Sequence, residues 1–442
     1  MKKIIAVGLG CPKNQVDLEI MLKRLTDEGF ELVDEAWNAD IALVNTCAFI
    51  EDAKQEAIDS ILEMADYKAD GSLKAIIVTG CLAERYREEI FTEIPEVDAV
   101  LGIGANEDII TACYAVLDGK KIKSFPEKER LPLEGERLVT TPAYWAYLRI
   151  SDGCSNNCTY CAIPSIRGAF RSCPKQSIID QARTLAASGV KELVIIAQDT
   201  TRYGLDLYGK LALPELLEEL CGVEGIEWIR LLYCYPDYIT DELLDVIAAQ
   251  DKIQKYLDIP LQHANGKVLA AMNRRGDEAT LLELIGKIRE RVPGIALRTT
   301  LMAGFPGEGE AEFEALCEFV NKARFDNLGC FAYSREEGTA AYDLDEQVEP
   351  EVAQSRRDTI MEQQARIAAE LNKERIGSTL QVICEGYNKY TDSYYGRAYC
   401  NAPEIDGLVL FTCGYHIDDG DIIPVEIFSV SEEGYDLIGE AV

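Results

Sequence analysis

Gly153-Cys-Ser-Asn-Asn-Cys-Thr-Tyr-Cys161 sets three cysteines, Cys154, Cys158 and Cys161, in a CxxxCxxC spacing. That spacing offers three thiolates to one inorganic cluster and withholds a fourth. Electron-transfer clusters normally close their coordination with four cysteines, whereas a catalytic metal keeps one position free for a substrate. The spacing therefore predicts a four-iron cube with one open iron, and the missing ligand points to catalysis. The triplet directly follows an apolar run, Tyr144 to Ile150. In a parallel sheet this position is a carboxyl end, where α/β folds gather reactive residues.

Beyond the triplet, apolar runs at Glu192 to Ala197, Trp228 to Tyr233, Tyr256 to Leu261, Ala296 to Met302 and Asn327 to Tyr333 alternate with helical patterns at Leu213 to Cys221, Asp241 to Ala249, Ala279 to Arg291 and Glu308 to Ala323. Six such units predict a partial TIM-like (β/α) barrel over residues 143–372, ending in a long helix, Glu351 to Arg375. Upstream, residues 1–120 also alternate strand-like and helical stretches. The runs Lys3 to Leu9, Asp40 to Thr46 and Lys74 to Thr79 lead almost at once into Cys11, Cys47 and Cys81. Parallel strands joined by right-handed crossovers point the same way, so these cysteines fall on one edge of an open parallel α/β sheet. A second three-thiolate site is the expectation there. Three buried core thiols is the alternative, since free cysteine is among the most buried residue types. Residues 118 to 142 are rich in charge and proline, and 121–142 is read as a linker. Residues 373–442 turn to short β runs, Thr379 to Glu385, Ser393 to Tyr399, Leu408 to Thr412 and Ile422 to Val430, which predict a small closed β-barrel.

The net charge is −33, from 77 acidic and 44 basic residues. Binding to free nucleic acid depends on Lys and Arg displacing counterions from phosphates, so this balance argues against it and favours a cationic protein as partner. The terminal barrel carries Tyr387, Tyr390, Tyr394, Tyr395 and Tyr399 without the positive charge that oligonucleotide-binding barrels place beside their aromatics. Fifteen cysteines, an odd number at metal-like spacings in a large chain, read as reduced thiols of a cytoplasmic protein. No run approaches the roughly 18 apolar residues of a membrane helix, and a soluble protein is expected. His263 and His416 are the only histidines, which excludes a histidine-based metal site.

Leu9-Gly-Cys-Pro-Lys-Asn14, Asn45-Thr-Cys47, Thr79-Gly-Cys81, Gly153 to Pro164 and Arg167-Gly168 together resemble the signatures of the methylthiotransferases of the radical S-adenosylmethionine (SAM) superfamily. The resemblance runs the whole chain, including an acidic terminal barrel similar to the TRAM domain. Cys11-Pro-Lys-Asn14 and Asp258-Ile-Pro-Leu-Gln-His-Ala-Asn265, followed by Met272-Asn-Arg-Arg-Gly276, are more similar to the RimO branch, which modifies a small-subunit ribosomal protein, S-twelve. The transfer-RNA branch usually reads Cys-Gln-Met-Asn at its first cysteine. Leu18 departs from the branch, which commonly has serine there.

The resemblance implies that Cys154, Cys158 and Cys161 hold a 4Fe–4S cluster that passes an electron to SAM, giving a 5′-deoxyadenosyl radical. The radical then takes hydrogen from the β-carbon of an aspartate, a carbon with no acidic proton for a side-chain base to remove. Cys11, Cys47 and Cys81 are implied to hold a second 4Fe–4S cluster that carries the sulfur, so that two SAM molecules are used per turnover. Tyr160, Ile163, Gln198, Gln262, Arg298 and Gly304 are assigned to the SAM side. Gly304 belongs to Gly304-Phe-Pro-Gly-Glu308, which resembles a glycine-rich motif where a cofactor approaches the backbone. An electron donor of the flavodoxin or ferredoxin type is implied as a partner. Two rivals remain: the same chemistry on a transfer-RNA adenosine, and an iron–sulfur electron carrier that does not use SAM.

Overall fold

The structure is a computed structural model that describes residues 2–442. The first apolar runs form a parallel six-stranded sheet with strand order Glu31–Leu32, Lys3–Gly8, Ile41–Thr46, Ala75–Gly80, Ala99–Leu101, Ile122–Ser124. Ile41–Thr46 and Ala75–Gly80 are buried at every position, as expected of central strands covered by helices on both faces. Ile122–Ser124 lies inside the stretch read as a linker. Its Lys-flanked composition suits an edge strand, which needs little apolar surface. The rest of that stretch is also tied down: Arg137 pairs with Glu19 at 3.0 Å, and Leu138 N–H donates to the Glu19 carbonyl on the first helix, Pro12–Asp27.

A second parallel six-stranded sheet runs in the order Asn327–Ala332, Ala296–Ala303, Ile253–Asp258, Trp228–Leu231, Glu192–Ile196, Trp145–Arg149. Each strand is followed by its crossover, and the helices pack the apolar side chains of the largest core, with Leu216, Leu217, Leu244, Ile288, Leu316 and Phe319 on their inner faces. This is the partial barrel the sequence predicts. The long helix Pro350–Glu374 closes beside the last strand, and Gln364 Nε2 donates to the Phe325 carbonyl at 2.8 Å.

The chain ends in a closed five-stranded barrel ordered Thr379–Asn388, Ser393–Arg397, Val409–Thr412, Leu437–Ala441, Ile422–Val430. It is docked on the amino-terminal mouth of the partial barrel. Arg230 reaches the Tyr399 and Ala398 carbonyls at 2.6 and 3.2 Å, Tyr147 donates to Glu404 at 2.8 Å, and Tyr256 donates to Asp406 at 2.6 Å. Beneath them Glu192 is flanked by Arg230 and Arg397 at 2.8 and 2.7 Å, all three fully buried. Tyr394 and Tyr399 pack into this joint core, whereas Tyr387 and Tyr390 stay exposed. No helix among the described residues is long and apolar enough to cross a membrane.

Candidate active site

The amino-terminal cysteines stand at three neighbouring strand ends. Cys11 caps the helix Pro12–Asp27, with Pro12 at its first position, where a missing N–H costs nothing. Asn14 and Asn45 knit the turns together: Asn14 Nδ2 donates to the Leu9 carbonyl, and Asn45 Nδ2 to the Asn14 carbonyl, both at 2.7 Å. Gly10 has φ +89°, and a Cβ there would lie 2.8 Å from Cys47 Sγ, so only glycine lets these two turns close on each other. The three thiols are mutual neighbours: Cys47 is affected by Cys11, and Cys81 by both. Burial pushes the Cys81 thiol up to about 12, against the pull of the nearby Arg167 guanidinium.

The triplet 154–161 lies on a loop after the Trp145–Arg149 strand. Another loop clamps it from across the barrel mouth: Thr159 N–H donates to the Met272 carbonyl at 3.1 Å, Thr159 Oγ1 to the Ala271 carbonyl at 2.8 Å, and Asn273 Nδ2 to the Asn157 carbonyl at 2.9 Å. Arg274, from the same loop, places Nη1 3.8 Å from Cys158 Sγ and stacks on Tyr235. Burial pushes Cys154 up to about 11 and Cys161 up to about 12. Thiols held this way are protonated until a cation displaces the proton. Among the described residues no His, Cys, Asp or Glu group converges tightly enough for a single metal ion. A four-iron cube spaces its thiolates more widely than one ion does, and two trios of sulfur donors, buried or half-buried and each beside an arginine, suit that larger group.

A buried quartet joins the two sites. Arg167 pairs with Asp17 at 2.8 Å and Asp152 at 2.7 Å, while Arg149 pairs with the same Asp152 at 3.2 Å and also with Asp17. Burial opposes the charge on Asp152, yet Arg167 and Arg149 outweigh it and hold this carboxyl below its usual range. Asp17 comes from the first helix and Asp152 immediately precedes Gly153-Cys154, so the ion cluster fixes one trio relative to the other. The chain after the Trp228–Leu231 strand adds a second link. Cys234 is buried in the core, and its neighbours serve opposite sites: Tyr233 faces Lys13 and Cys11, and Tyr235 faces Cys158 and Arg274.

The residues assigned to the SAM side divide on inspection. Tyr160 is half-buried, its ring edge-on to Phe305 beside Cys158 and Cys161. The Ile163 N–H points at Cys161 Sγ, 3.4 Å away. Gln198 Nε2 donates to Asp152 at 3.1 Å while its buried Oε1 has no partner, leaving a spare acceptor beside the triplet. Gln262, at φ +71°, is bridged to the neighbouring strand through Thr300 and Met302. Arg298 is engaged by Asp258 at 3.2 Å and by Asp406 of the terminal barrel at 3.4 Å, which holds it at the floor of the lumen. Gly304 has φ +77°, and a Cβ there would lie 2.2 Å from the Ala353 Cβ, so the long helix explains this glycine without a cofactor. His263 accepts from Asn265 N–H through Nδ1, so its Nε2 carries the proton and donates to Glu308 at 3.1 Å. Arg274, Tyr235, Arg167 and Lys13 are the site residues that reasoning from the sequence missed. Arg167, Arg274 and Lys13 lie inside quoted motifs, but their sequence positions do not show which side chains they meet.

A model of the Radical SAM superfamily matches residues 148–320, one of the TRAM domain matches 376–442, and the uncharacterized protein family UPF0004 matches 3–102. Among solved structures, the radical SAM methyltransferase TsrM from Kitasatospora setae, described with cobalamin and a 4Fe–4S cluster bound, superposes with a TM-score of 0.59 at 14% identity, covering 86% of this chain and 81% of that one. At that identity the likeness is one of fold. The class is therefore a radical SAM enzyme with an added amino-terminal α/β sheet and a terminal TRAM barrel. The protein named ribosomal protein uS12 methylthiotransferase RimO from Lachnoclostridium phytofermentans is 48% identical over 99% of this chain and 100% of its own length. Those of the same name from Acetivibrio thermocellus, covering 100% of this chain and 98% of theirs, and from Caldanaerobacter subterraneus, covering 100% of both, are each 47% identical. The chain belongs to the RimO family of radical SAM methylthiotransferases.

Proposed function

We propose that this chain inserts a methylthio group into ribosomal protein uS12, the reaction for which its relatives are named, at the β-carbon of an aspartate. In this reading Cys154, Cys158 and Cys161 hold the 4Fe–4S cluster that takes SAM, and Cys11, Cys47 and Cys81 hold a second one. When bound, these groups supply one-electron chemistry strong enough to open an unactivated C–H bond, together with the sulfur that replaces the hydrogen. The protein supplies position and seclusion. Arg274 screens the charge of the Cys158 thiolate, and Tyr160, the Ile163 N–H and the spare Gln198 oxygen surround the same trio. Arg149, Asp17, Arg167 and Asp152 hold the trios in register. The terminal barrel closes the floor of the lumen, which keeps out water and stray hydrogen donors. One observation carries the reading: two separate trios of thiols, each lacking a fourth sulfur, share one buried framework with Tyr233 and Tyr235 between them.

The acidic surface suits a lysine- and arginine-rich ribosomal protein and disfavours free nucleic acid. An electron donor of the flavodoxin or ferredoxin type and a cytoplasmic location complete the proposal. Mass spectrometry of uS12 and of transfer RNA, from cells with and without the gene, tests it. Loss of a methylthio group from a uS12 aspartate in the deletion strain is the expected result. Loss from a transfer-RNA adenosine, with uS12 unchanged, would move the chain to the other branch.

A further inference from the structure

Two buried cations at the barrel mouth have no carboxylate partner among the described residues, Arg274 and Lys13. The donors of Arg274 are used, by Cys158 Sγ at 3.8 Å and the Pro260 carbonyl at 2.5 Å. Lys13 is different. It is 6% exposed, and its ammonium rests on the face of Tyr233, 3.4 Å from the ring centroid. A buried charge without a counter-charge is costly, and an aromatic face returns only part of that cost.

The surrounding carboxylates are committed elsewhere. Asp258 takes the Tyr233 N–H at 3.0 Å and Arg298 at 3.2 Å, and Asp17 is shared between Arg149 and Arg167. Tyr233 itself is held at φ +61°, a conformation rare for a bulky residue and found mostly where function demands it. Lys13 also lies on the same helical turn as Cys11, beside the trio proposed to deliver sulfur. The site therefore presents, next to that trio, a positive charge that no protein carboxylate neutralises.

We propose that Lys13 is the specificity-determining residue that binds the carboxylate of the target aspartate, an inference that rests on the uS12 reading above. In an aspartate side chain the β-carbon is bonded directly to the carboxyl carbon. An ammonium that fixes the carboxylate thereby fixes the reacting carbon one bond away, between the Cys11 trio and the Tyr235 side of the mouth. Asparagine, with the same shape but no charge, would leave Lys13 buried and unpaired, and such sites reject uncharged analogues strongly.

The test measures the affinity of the SAM-loaded holoenzyme for uS12 carrying either the target aspartate or asparagine in its place. Wild type should prefer the aspartate form by roughly 10- to 100-fold, the factor for a hydrogen bond to a charged group. Lys13→Gln should bind both forms alike, and Lys13→Arg should restore the preference. The ratio is internal to each variant, so a variant that loads less iron still reports on it. An aspartate preference that survives in Lys13→Gln, or is absent in wild type, overturns the assignment and leaves the ammonium serving the sulfur side. Failure of wild type to methylthiolate uS12 at all, in a parallel activity assay, is the distinct result that removes the functional reading.

Discussion

Gly304 shows how one residue can carry two explanations that only packing separates. Its motif resembles a cofactor-facing loop, yet the Cβ it lacks would collide with Ala353 on the long helix, and Glu308 holds the loop through the Gly304 N–H, His263 and Arg356. Gly304→Ala combines a strained positive φ with overpacking, so it should cost about 2–4 kcal/mol of stability. Denaturant melts of the purified protein check this; an unchanged midpoint with weakened SAM binding would return the glycine to the cofactor. The six cysteines were legible because metal spacing and strand-end position are written in the chain itself. The environments of Gly304, Arg298, Arg274 and Lys13 were not, because each depends on a partner far away in sequence: Ala353, Asp406, Cys158 and Tyr233.

Among the elements, the long buried strands were readable and the short ones were not. Glu31–Leu32, Ala99–Leu101 and Ile122–Ser124 span too few residues for periodicity to speak, and their pairing is decided by neighbours; Leu437–Ala441 goes unread although it is as long as Trp145–Arg149. The docking of the terminal barrel was equally hidden, since it rests on Glu192 at the start of one strand meeting Arg397 at the end of a strand in another domain. Burial works against the Glu192 charge, but Arg397 and Arg230 outweigh it and hold the carboxyl below its ordinary value. A depressed folded value means the unfolded chain binds the proton first. The stabilisation is therefore complete above the ordinary glutamate value of about 4.3 and is lost as pH falls through the lower folded value. Glu192→Gln should accordingly be less stable than wild type at neutral pH, by about 3–5 kcal/mol if the arginines are left uncompensated. The gap should shrink below pH ~4, as thermal melts across a pH series would show. A gap independent of pH would mean that the ion pair does not hold the barrel.

At the scale of the whole molecule, the charge of −33 and the two cysteine edges make one arrangement: a negative field outside, and two trios joined by one buried ion cluster. Steering by such a field raises association rates by roughly 10 to 10³ at low salt and is screened once the Debye length falls to about 10 Å near 0.1 M salt. Stopped-flow binding of uS12 should therefore slow steeply with ionic strength, and a salt-independent rate would assign the acidic surface to solubility alone. The central claim is that two incomplete thiolate sets each hold a cluster. Iron and sulfide analysis after anaerobic reconstitution addresses it most directly. Wild type should hold about eight irons in two 4Fe–4S clusters, and a variant with Cys11, Cys47 and Cys81 all changed to alanine about four, while still cleaving SAM on reduction. A wild-type chain with only four irons, or a variant that keeps eight, would contradict the account.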